Sequence, residues 1–496
     1  MGRNLRRHHV GQRLLAAPHH RRRRLVARAL NPQNQPGTRI PTHHILYSRH
    51  VPKPPAQLAA ERIVERLRAE GHEAYLAGGC VRDLLLGHTP SDFDVATSAR
   101  PDAVLQLFPR TFSVGAHFGV ILVADELDGQ QIVTEVATFR SDAAYSDGRR
   151  PDAVRFSDRP EEDVLRRDFT INGMLLDPQT GQVLDFVEGR ADLDAHIIRA
   201  IGDPAQRFDE DKLRMLRAVR FAARFDFEIE PRTETAIRRR ADQIHQVSLE
   251  RVRDELTRML TEGRARRAFE LLDSTSLLKH VLPEVDRLHG VQQPPEFHPE
   301  GDVFTHTMML LQQLPAGASP TLAWGALLHD IGKPATFQPG PGRIRFNGHV
   351  EIGVRIAQDI CRRLRFSNDD AAQIASLVEN HMRFGDVRRM KPSTLKRFFR
   401  LRCFPEHLAL HRMDCLASHG GLDLYNFAKE KYEAIPEEEV RPPLLLTGDD
   451  LIQAGYTPGP DFKRLLALAE DAQLEGRIHT KAEALSLIAS ESPNNQ

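Results

Sequence analysis

Two aspartates, Asp92 and Asp94, stand two residues apart in a segment whose composition suits a short strand. The strand is predicted to run from Ser91 to Ala96. Side chains alternate faces along a strand, so both carboxylates are expected on one side. Carboxylates on one face can hold one or two Mg²⁺ ions, which clamp the attacking and leaving oxygens of a phosphoryl transfer. The pair therefore predicts metal-assisted phosphate chemistry.

A glycine turn precedes the aspartates. Residues 75–77 (YLA) are predicted to form a buried strand that ends at Gly78 and Gly79, where the backbone can turn tightly and approach a ligand. Residues 81–86 then begin a helix, whose free N–H groups and positive dipole end favour a triphosphate. Arg82 lies in its first turn and could reach a phosphate. Strand, turn, helix and aspartate pair together predict a site for a nucleoside triphosphate.

Length and composition limit the class of protein. A chain of 496 residues suggests about three domains, and a hydrophobic content of 41% supports globular packing. No apolar run approaches the roughly 20 residues that a membrane span needs. The four cysteines are scattered and form no CxxC pair, which argues against a disulfide framework and favours a reducing, cytoplasmic compartment.

The charge is unevenly distributed, although the formal net charge is zero. Residues 1–55 contain 12 Arg and Lys and no Asp or Glu, which leaves 56 basic against 68 acidic residues in the remainder. Such a segment could touch RNA phosphates, could be an organelle transit peptide, or could be an extension from a mis-set start. We favour a disordered, dispensable extension. Any RNA-binding surface on the acidic remainder must then be a local patch.

Periodicity divides the chain into two parts. A helix is predicted over 58–70 and strands over 118–123 and 132–139, with a turn at 128–129 between them; Glu135 lies in the second strand. This mixed α/β part ends near residue 190. From about residue 191 strand signals vanish, and helices are predicted throughout, including 209–224, 248–262, 321–330 and 369–380.

The segment RFDEDKLRMLRAVRF places Asp211 and Arg214 three residues apart on the helix predicted over 209–224, so they are expected on one face. One interpretation is an intrahelical ion pair, which contributes little at a surface. The other is recognition of a base, because Arg offers donors and Asp an acceptor to the Watson–Crick edge of C or, after a small shift, of A. G and U would place a carbonyl oxygen against the carboxylate, which is penalised.

A second cluster lies in the C-terminal half. Its members follow the order H…HD…D, with Lys333 after the pair and His349 and His381 as flanking candidates: His306, His329, Asp330 and Asp414. Imidazole and carboxylate groups on successive helices suit a divalent metal. The pattern resembles the HD phosphohydrolase family, and the resemblance implies an accessory hydrolysis of phosphomonoesters or 2′,3′-cyclic phosphates.

Taken together, the motifs resemble those of class II CCA-adding enzymes, the tRNA nucleotidyltransferase and poly(A) polymerase family. The similarity includes the GG turn, the aspartate pair, the segment RRDFTIN, the spacing of Asp211 and Arg214, and SLERVRDEL at 248–256. It covers about residues 75–260 and continues beyond. Within the family, the segment 114–120 (VGAHFGV) lacks the arginines of bacterial poly(A) polymerases, which favours CCA addition.

The resemblance implies an enzyme that appends C, C and A to the 3′ end of tRNA from CTP and ATP, without a nucleic-acid template. It implies Mg²⁺ at Asp92 and Asp94, and Glu135 as a third acidic group that assists the 3′-hydroxyl. Nucleotide contacts would come from the glycine turn and from charged and polar groups: Gly78, Gly79, Arg82, Arg167, Asp168, Asn172, Asp211 and Arg214. The segment DGRRPD at 147–152 would be a mobile loop. A second divalent metal could occupy the HD cluster.

The implied fold is α+β: a mixed-sheet nucleotidyltransferase head, an all-helical neck, an HD domain and a helical tail that binds tRNA. The expected ranges are 1–55 for the extension, 56–190 for the head, 191–285 for the neck, 286–425 for the HD domain and 426–496 for the tail. Two alternatives remain open: a poly(A) polymerase or an enzyme adding only C or only A, and an HD metal-dependent phosphohydrolase with a nucleotide-binding head. The oligomeric state does not follow from the sequence.

Overall fold

A computed structural model describes residues 53–115, 119–127, 129–142, 154–294, 301–340 and 344–491. Residues 1–52 of the basic extension and the whole of the predicted loop 147–152 lie outside the described residues.

The head is built on one mixed sheet. In the described residues, eleven strands are found: β1 Ala74–Ala77, β2 Asp94–Thr97, β3 Thr111–Gly115, β4 Val120–Leu127, β5 Gln130–Thr138, β6 Arg140–Asp142, β7 Val154–Phe156, β8 Met174–Leu176, β9 Val183–Asp185, β10 Ile197–Ile198 and β11 Glu228–Ile229. Seven of them form a sheet in the order β3-β4-β5-β2-β1-β8-β9. β2 and β5 pair in parallel, and the other neighbours are antiparallel. The predicted mixed-sheet head is confirmed.

The remaining regular elements of the described structure are helices. Their bounds are α1 Pro55–Ala69, α2 Gly79–Leu85, α3 Pro101–Leu107, α4 Pro160–Leu165, α5 Gly189–Asp194, α6 Pro204–Glu210, α7 Leu213–Phe225, α8 Pro231–Arg240, α9 Leu249–Thr261, α10 Ala265–Ser274, α11 Leu278–Val281, α12 Pro283–Asp286, α13 Val303–Leu311, α14 Pro320–Leu328, α15 Lys333–Thr336, α16 His349–Arg363, α17 Asn368–Asn380, α18 Pro392–Phe399, α19 Phe404–Ala417, α20 Asp423–Ala434, α21 Glu437–Val440, α22 Gly448–Gln453, α23 Asp461–Leu474 and α24 Lys481–Glu491. Short 3₁₀ helices cover Thr170–Asn172, Ala241–Gln246 and His381–Arg389.

The first helix shows why the head packs as it does. α1 buries Ala59, Ala60, Ile63, Val64 and Leu67, a set spaced by three and four residues that forms one stripe. This stripe packs on the sheet, chiefly against β1 and β5. The predicted helix at 58–70 is therefore confirmed and begins slightly earlier.

Two sequence expectations need correction. The helix predicted over 209–224 is two helices, α6 and α7, separated at Asp211 and Lys212. Strand structure also does not stop at residue 191, because β10 and β11 form a two-residue parallel pair. Beyond residue 260, the described chain carries isolated bridges but no named strand, so the helical character of the C-terminal half is confirmed.

One hydrophobic core runs from the head through the neck into the HD region, from Ala60 to Ala417. At the neck–HD boundary, the buried Trp324 of α14 donates its Nε1–H to Thr257 Oγ1 of α9 at 2.9 Å. Two smaller cores follow, one spanning 384–440 and one spanning 446–488. The continuous core joins the head, neck and HD helices, whereas the helices beyond residue 417 pack into the two smaller cores.

Candidate functional sites

Three carboxylates line a cavity of about 610 Å³ between the sheet and the helices that follow it: Asp92, Asp94 and Glu135. Asp94 begins β2, and Glu135 lies on β5, the parallel neighbour of β2. Asp92 lies in the unpaired segment before β2, so the strand predicted from Ser91 begins three residues later. The strand begins there because Ala77, the last residue of β1, pairs with Asp94, and the chain then turns at Gly78.

The carboxylates repel one another. Burial, together with the negative charges of Glu135 and Asp92, raises the pKa of Asp94 to about 7. Burial also raises the pKa of Glu135. Such mutual repulsion is relieved when a divalent cation lies between the oxygens, and oxygen donors are those that Mg²⁺ prefers. The three residues therefore fit a divalent cation.

The glycine turn sits directly beside these carboxylates. Gly78 has φ 74° and ψ −127°, a conformation that a residue with a Cβ rarely adopts. A Cβ at this position would also lie only 2.9 Å from Nη1 of Arg167. Gly78 thus allows the turn and leaves the Arg167 guanidinium beside it at the cavity wall.

The guanidinium of Arg82 is already engaged by other side chains and is not free to bind a phosphate. Arg82 is 4% exposed, donates Nε–H to Asp83 Oδ1 at 2.8 Å, and donates Nη1–H to Asn172 Oδ1 at 2.5 Å. Its guanidinium carbon lies 4.5 Å from the ring centre of Phe225. Arg82 lines the cavity, and its hydrogen bond holds the side chain of Asn172 in place.

The segment RRDFTIN takes part in a connected network of hydrogen bonds and ion pairs at the cavity. Arg167 pairs with the buried Asp163 at 2.9 Å. Asn172 Nδ2–H donates to Asp168 Oδ1 at 3.0 Å, while Asp168 Oδ2 accepts from Nε and Nη2 of Arg217 at 2.8 and 2.6 Å. Burial would raise the pKa of Asp168, but the Arg217 charge and these hydrogen bonds outweigh it and lower the pKa to about 2.

Arg217 on α7 did not feature in the sequence prediction. It lies three residues after Arg214, on the same side of the helix, and that spacing is the signal that could have identified it.

Asp211 and Arg214 both line the cavity, but they do not share a helix. Asp211 has an extended backbone after α6, and its Oδ1 accepts the backbone N–H of Leu213 at 3.0 Å. Aspartate favours such capping over a position inside a helix, which explains the break.

The two side chains bind other partners. Asp211 Oδ2 accepts from Nη2 of Arg251 on α9 at 2.8 Å, and Arg214 donates to Glu210 Oε2 at 2.7 Å and to the carbonyl of Arg166 at 3.1 Å. The intrahelical Asp211–Arg214 ion pair considered from the sequence is therefore not formed. The role of Arg251 did not feature in the prediction, because nothing in the local sequence links Arg251 to a residue 40 positions away.

The second cluster converges from five helical segments: His306 on α13, His329 and Asp330 after α14, His349 at the start of α16, His381 after α17, and Asp414 on α19. Nε2 of His306 lies 3.3 Å from Nε2 of His329 and 3.2 Å from Oδ1 of Asp414. Burial would raise the pKa of Asp414, but the histidines beside it hold that pKa well below its usual range.

A close backbone contact at Gly332 brings two of these segments together. A Cβ on Gly332 would lie 2.0 Å from the carbonyl oxygen of His349 and 2.7 Å from the backbone nitrogen of Gly353. The chain after His329 and Asp330 can therefore approach the start of α16 only because residue 332 is glycine. Facing imidazoles and carboxylates of this kind fit a divalent transition metal.

No helix in the described part of the chain has the length and apolar character needed to cross a membrane. All four cysteines, Cys80, Cys361, Cys403 and Cys415, are free thiols.

Comparison with known proteins identifies three family models along the chain. The "Poly A polymerase head domain" matches residues 74–199, the "Probable RNA and SrmB- binding site of polymerase A" matches residues 226–288, and the "HD domain" matches residues 302–414.

Among curated relatives, the "CCA-adding enzyme" of Limosilactobacillus fermentum is 30% identical over 439 residues, covering 88% of this chain and 98% of that protein. The enzyme of the same name from Enterococcus faecalis is 32% identical over 433 residues, covering 87% and 95%. Among solved structures, the Bacillus stearothermophilus CCA-adding enzyme in complex with CTP superposes with a TM-score of 0.68 at 26% identity, covering 89% of this chain and 98% of that one.

Proposed function

The chain belongs to the family of CCA-adding enzymes, and from that premise we propose that it adds C, C and A to the 3′ end of tRNA, using CTP and ATP. It is a nucleotidyltransferase. The observation that carries the proposal is the single cavity in which three carboxylates, the glycine turn, and Asp211 and Arg214 face one another. Phosphate chemistry and base recognition then occur in one chamber, with no need for a nucleic-acid template.

The carboxylates supply the catalytic end of the cavity. Asp92 and Asp94 would hold Mg²⁺, which when bound stabilises the attacking and leaving oxygens of the displacement. Glu135 lies beside them and accepts the proton of the tRNA 3′-hydroxyl, a role suited to a carboxylate whose pKa burial raises.

The arginines supply the binding end. Arg167 binds the triphosphate, while Arg217 and Asn172 hold Asp168 where it can accept the ribose hydroxyls. Asp211 and Arg214 recognise the base. Arg251 fixes the Asp211 carboxylate, and Glu210 fixes the Arg214 guanidinium, so both groups are held in place before the nucleotide binds.

The proposed domain ranges remain 56–190 for the head, 191–285 for the neck, 286–425 for the HD domain and 426–496 for a tRNA-binding tail. The three matched family ranges and the separate C-terminal core support this division. The free thiols support a cytoplasmic location. The HD cluster would hold a divalent metal and hydrolyse phosphomonoesters or 2′,3′-cyclic phosphates as an accessory activity.

Incorporation of labelled CTP into tRNA that lacks its 3′ end tests the catalytic assignment. Asp92→Ala and Asp94→Ala are each expected to abolish incorporation with the fold intact, because the metal clamp is lost. Asp102→Ala, on α3 and outside the cavity, is the matched control and should retain full activity. Near-normal incorporation by both cavity variants would eliminate the assignment. If the wild-type chain shows no incorporation but has robust phosphatase activity, the phosphohydrolase alternative would be favoured.

A further inference from the structure

We propose that Arg82 and Phe225 form a joint between the head and the neck that positions the nucleotide-binding groups of the cavity. Arg82 lies on α2 of the head, and Phe225 ends α7 of the neck, the helix that also carries Arg214 and Arg217. Both members of the joint act through other side chains, so they are positioning residues. This role rests on the proposed function, since it concerns nucleotide addition.

The neck presents two stacked aromatic rings to Arg82. Phe221 and Phe225 lie on one side of α7, with ring centres 6.1 Å apart and an interplanar angle of 17°. The guanidinium carbon of Arg82 lies 5.3 Å from the centre of Phe221 and 4.5 Å from that of Phe225. A guanidinium within about 6 Å of an aromatic ring is attracted to it, most strongly when water is excluded. Arg82 is buried and therefore meets this condition.

The head binds the nitrogens of the same guanidinium. Asp83 Oδ1 accepts from Nε of Arg82 at 2.8 Å and lies 2.7 Å from Nη2. Nη1 donates to Oδ1 of Asn172 at 2.5 Å. One buried side chain thus joins the head, through its hydrogen bonds, to the neck, through the two rings.

The joint reaches the groups that are proposed to bind the nucleotide. Because Arg82 donates to the carbonyl oxygen of Asn172, the amide of Asn172 must direct its NH₂ group toward Asp168. Asp168 accepts that hydrogen bond on Oδ1 and the guanidinium of Arg217 on Oδ2. A displaced Arg82 would free the Asn172 amide to turn. The carboxylate proposed to accept the ribose hydroxyls would then lose one of its supports.

Phe225 is the member of the joint that can be changed without touching the nucleotide. Phe221 lines the cavity and Phe225 does not, so a change in nucleotide affinity after substitution of Phe225 must act through its neighbours. Arg224 is also near this ring, at 5.1 Å from its centre. Its side chain is 37% exposed, and its Nη2 lies 3.7 Å from Asp83 Oδ2, so this contact contributes little. Arg82 is therefore the route.

Steady-state nucleotide addition by the full-length chain tests the joint. Phe225→Leu keeps an apolar side chain and removes the ring. KM for CTP and ATP is expected to rise about tenfold, because the cation–π attraction that holds Arg82 is lost. The kcat should stay within about twofold, because the carboxylates do not move and only ligand binding is weakened. Arg224→Gln should leave KM unchanged.

Phe227→Leu is the matched control. Phe227 is buried in the same aromatic cluster, with its ring centre 5.8 Å from that of Phe225, and among the described residues no arginine lies over its ring. Its KM should equal that of the wild type. Replacement of either phenylalanine by 3,4,5-trifluorophenylalanine keeps the shape of the ring and withdraws electron density from its face. KM should rise at position 225 and stay unchanged at position 227, which tests the joint even if the leucine variant does not fold.

A double variant tests the route. With Asn172→Ala as the background, Phe225→Leu should cause no further rise in KM, because the group through which it acts is already gone. A further tenfold rise would contradict the route through Asn172.

The other outcomes separate the joint from the proposed function. The same rise in KM in Phe225→Leu and Phe227→Leu would indicate a general loosening of the core and would overturn the joint. An unchanged KM after fluorination of residue 225 would also overturn it, while nucleotide addition itself stands. A wild-type chain that incorporates neither CTP nor ATP would instead refute the proposed function, and the joint with it.

Discussion

Asp211→Asn is the change that separates base recognition from a purely structural role. In the structure, Asp211 Oδ1 accepts the Leu213 N–H and Oδ2 accepts from Arg251. Asparagine keeps a carbonyl oxygen that can cap α7, so the fold should survive. It replaces the other oxygen with an NH₂ group that donates. Because that group can face the carbonyl of U or G, the variant should accept nucleotides that the wild type rejects.

The expected change in base selectivity can be calculated from one hydrogen bond. A buried acceptor that opposes another acceptor costs about 1–3 kcal/mol relative to a matched pair. Removing that penalty should raise UTP incorporation relative to CTP by about 5- to 150-fold, since about 1.4 kcal/mol is tenfold. The loss of the Arg251 ion pair is a smaller effect on stability, because both side chains keep some exposure to solvent, 24% and 15%.

Single-nucleotide incorporation measures the effect. Relative kcat/KM for the four triphosphates is determined on tRNA that lacks its 3′ end, because selectivity is a difference in transition-state binding. Asp209→Asn is the matched control: it lies on α6, pairs with Arg240 and does not line the cavity, so its base preference should equal that of the wild type. An unchanged ratio of UTP to CTP in Asp211→Asn, with activity retained, would refute the recognition hypothesis.

Three further changes test other parts of the account. Arg217→Gln removes the ion-pair partner of the buried Asp168, so KM for CTP and ATP should rise at least tenfold. Arg258 is exposed on α9, so Arg258→Gln is the control and should leave KM unchanged. The same KM in the two variants would contradict the proposed network. Gly332→Ala places a Cβ against the His349 carbonyl, so bound HD metal should be lost while nucleotide addition continues; Gly385→Ala, with open space around it, should keep the metal. Burial lowers the pKa of His407 to about 4 from 6.5, so the unfolded state binds a proton first as pH falls. Wild-type stability should therefore fall between about pH 6.5 and 4, by at most about 3 kcal/mol; His407→Gln should lack this component in denaturant titrations, and identical pH profiles would refute it.

Much of the head could be predicted from the sequence because its turns and strands are determined by neighbouring residues. The glycine turn and the strand before it depend on neighbours only a few residues away, and Asp92 and Asp94 both line the cavity although Asp92 precedes β2. The start of β2 was placed wrongly because it depends on where its partner strand ends. Hydrogen-bond pairing with β1 stops at Ala77, and the sequence around Ser91 carries no trace of that.

The neck was predicted less well, because its important contacts join distant residues. The spacing of Asp211 and Arg214 suggested one helix face, but the preference of Asp211 for capping Leu213 broke the helix. Arg251, 40 residues later, then became its partner through the packing of α7 against α9. Periodicity can predict that both helices exist. It cannot predict which of their arginines meets a given carboxylate.

The central claim is tested most directly by sequencing tRNA 3′ ends. The purified chain is incubated with tRNA that lacks its terminal CCA and with all four triphosphates together. Competition among the triphosphates tests base selection and the number of additions at once. The account predicts that nearly all ends gain C, C and A in that order and that extension then stops. Runs of A, ends that gain only C or only A, or ends that stay unextended would contradict it.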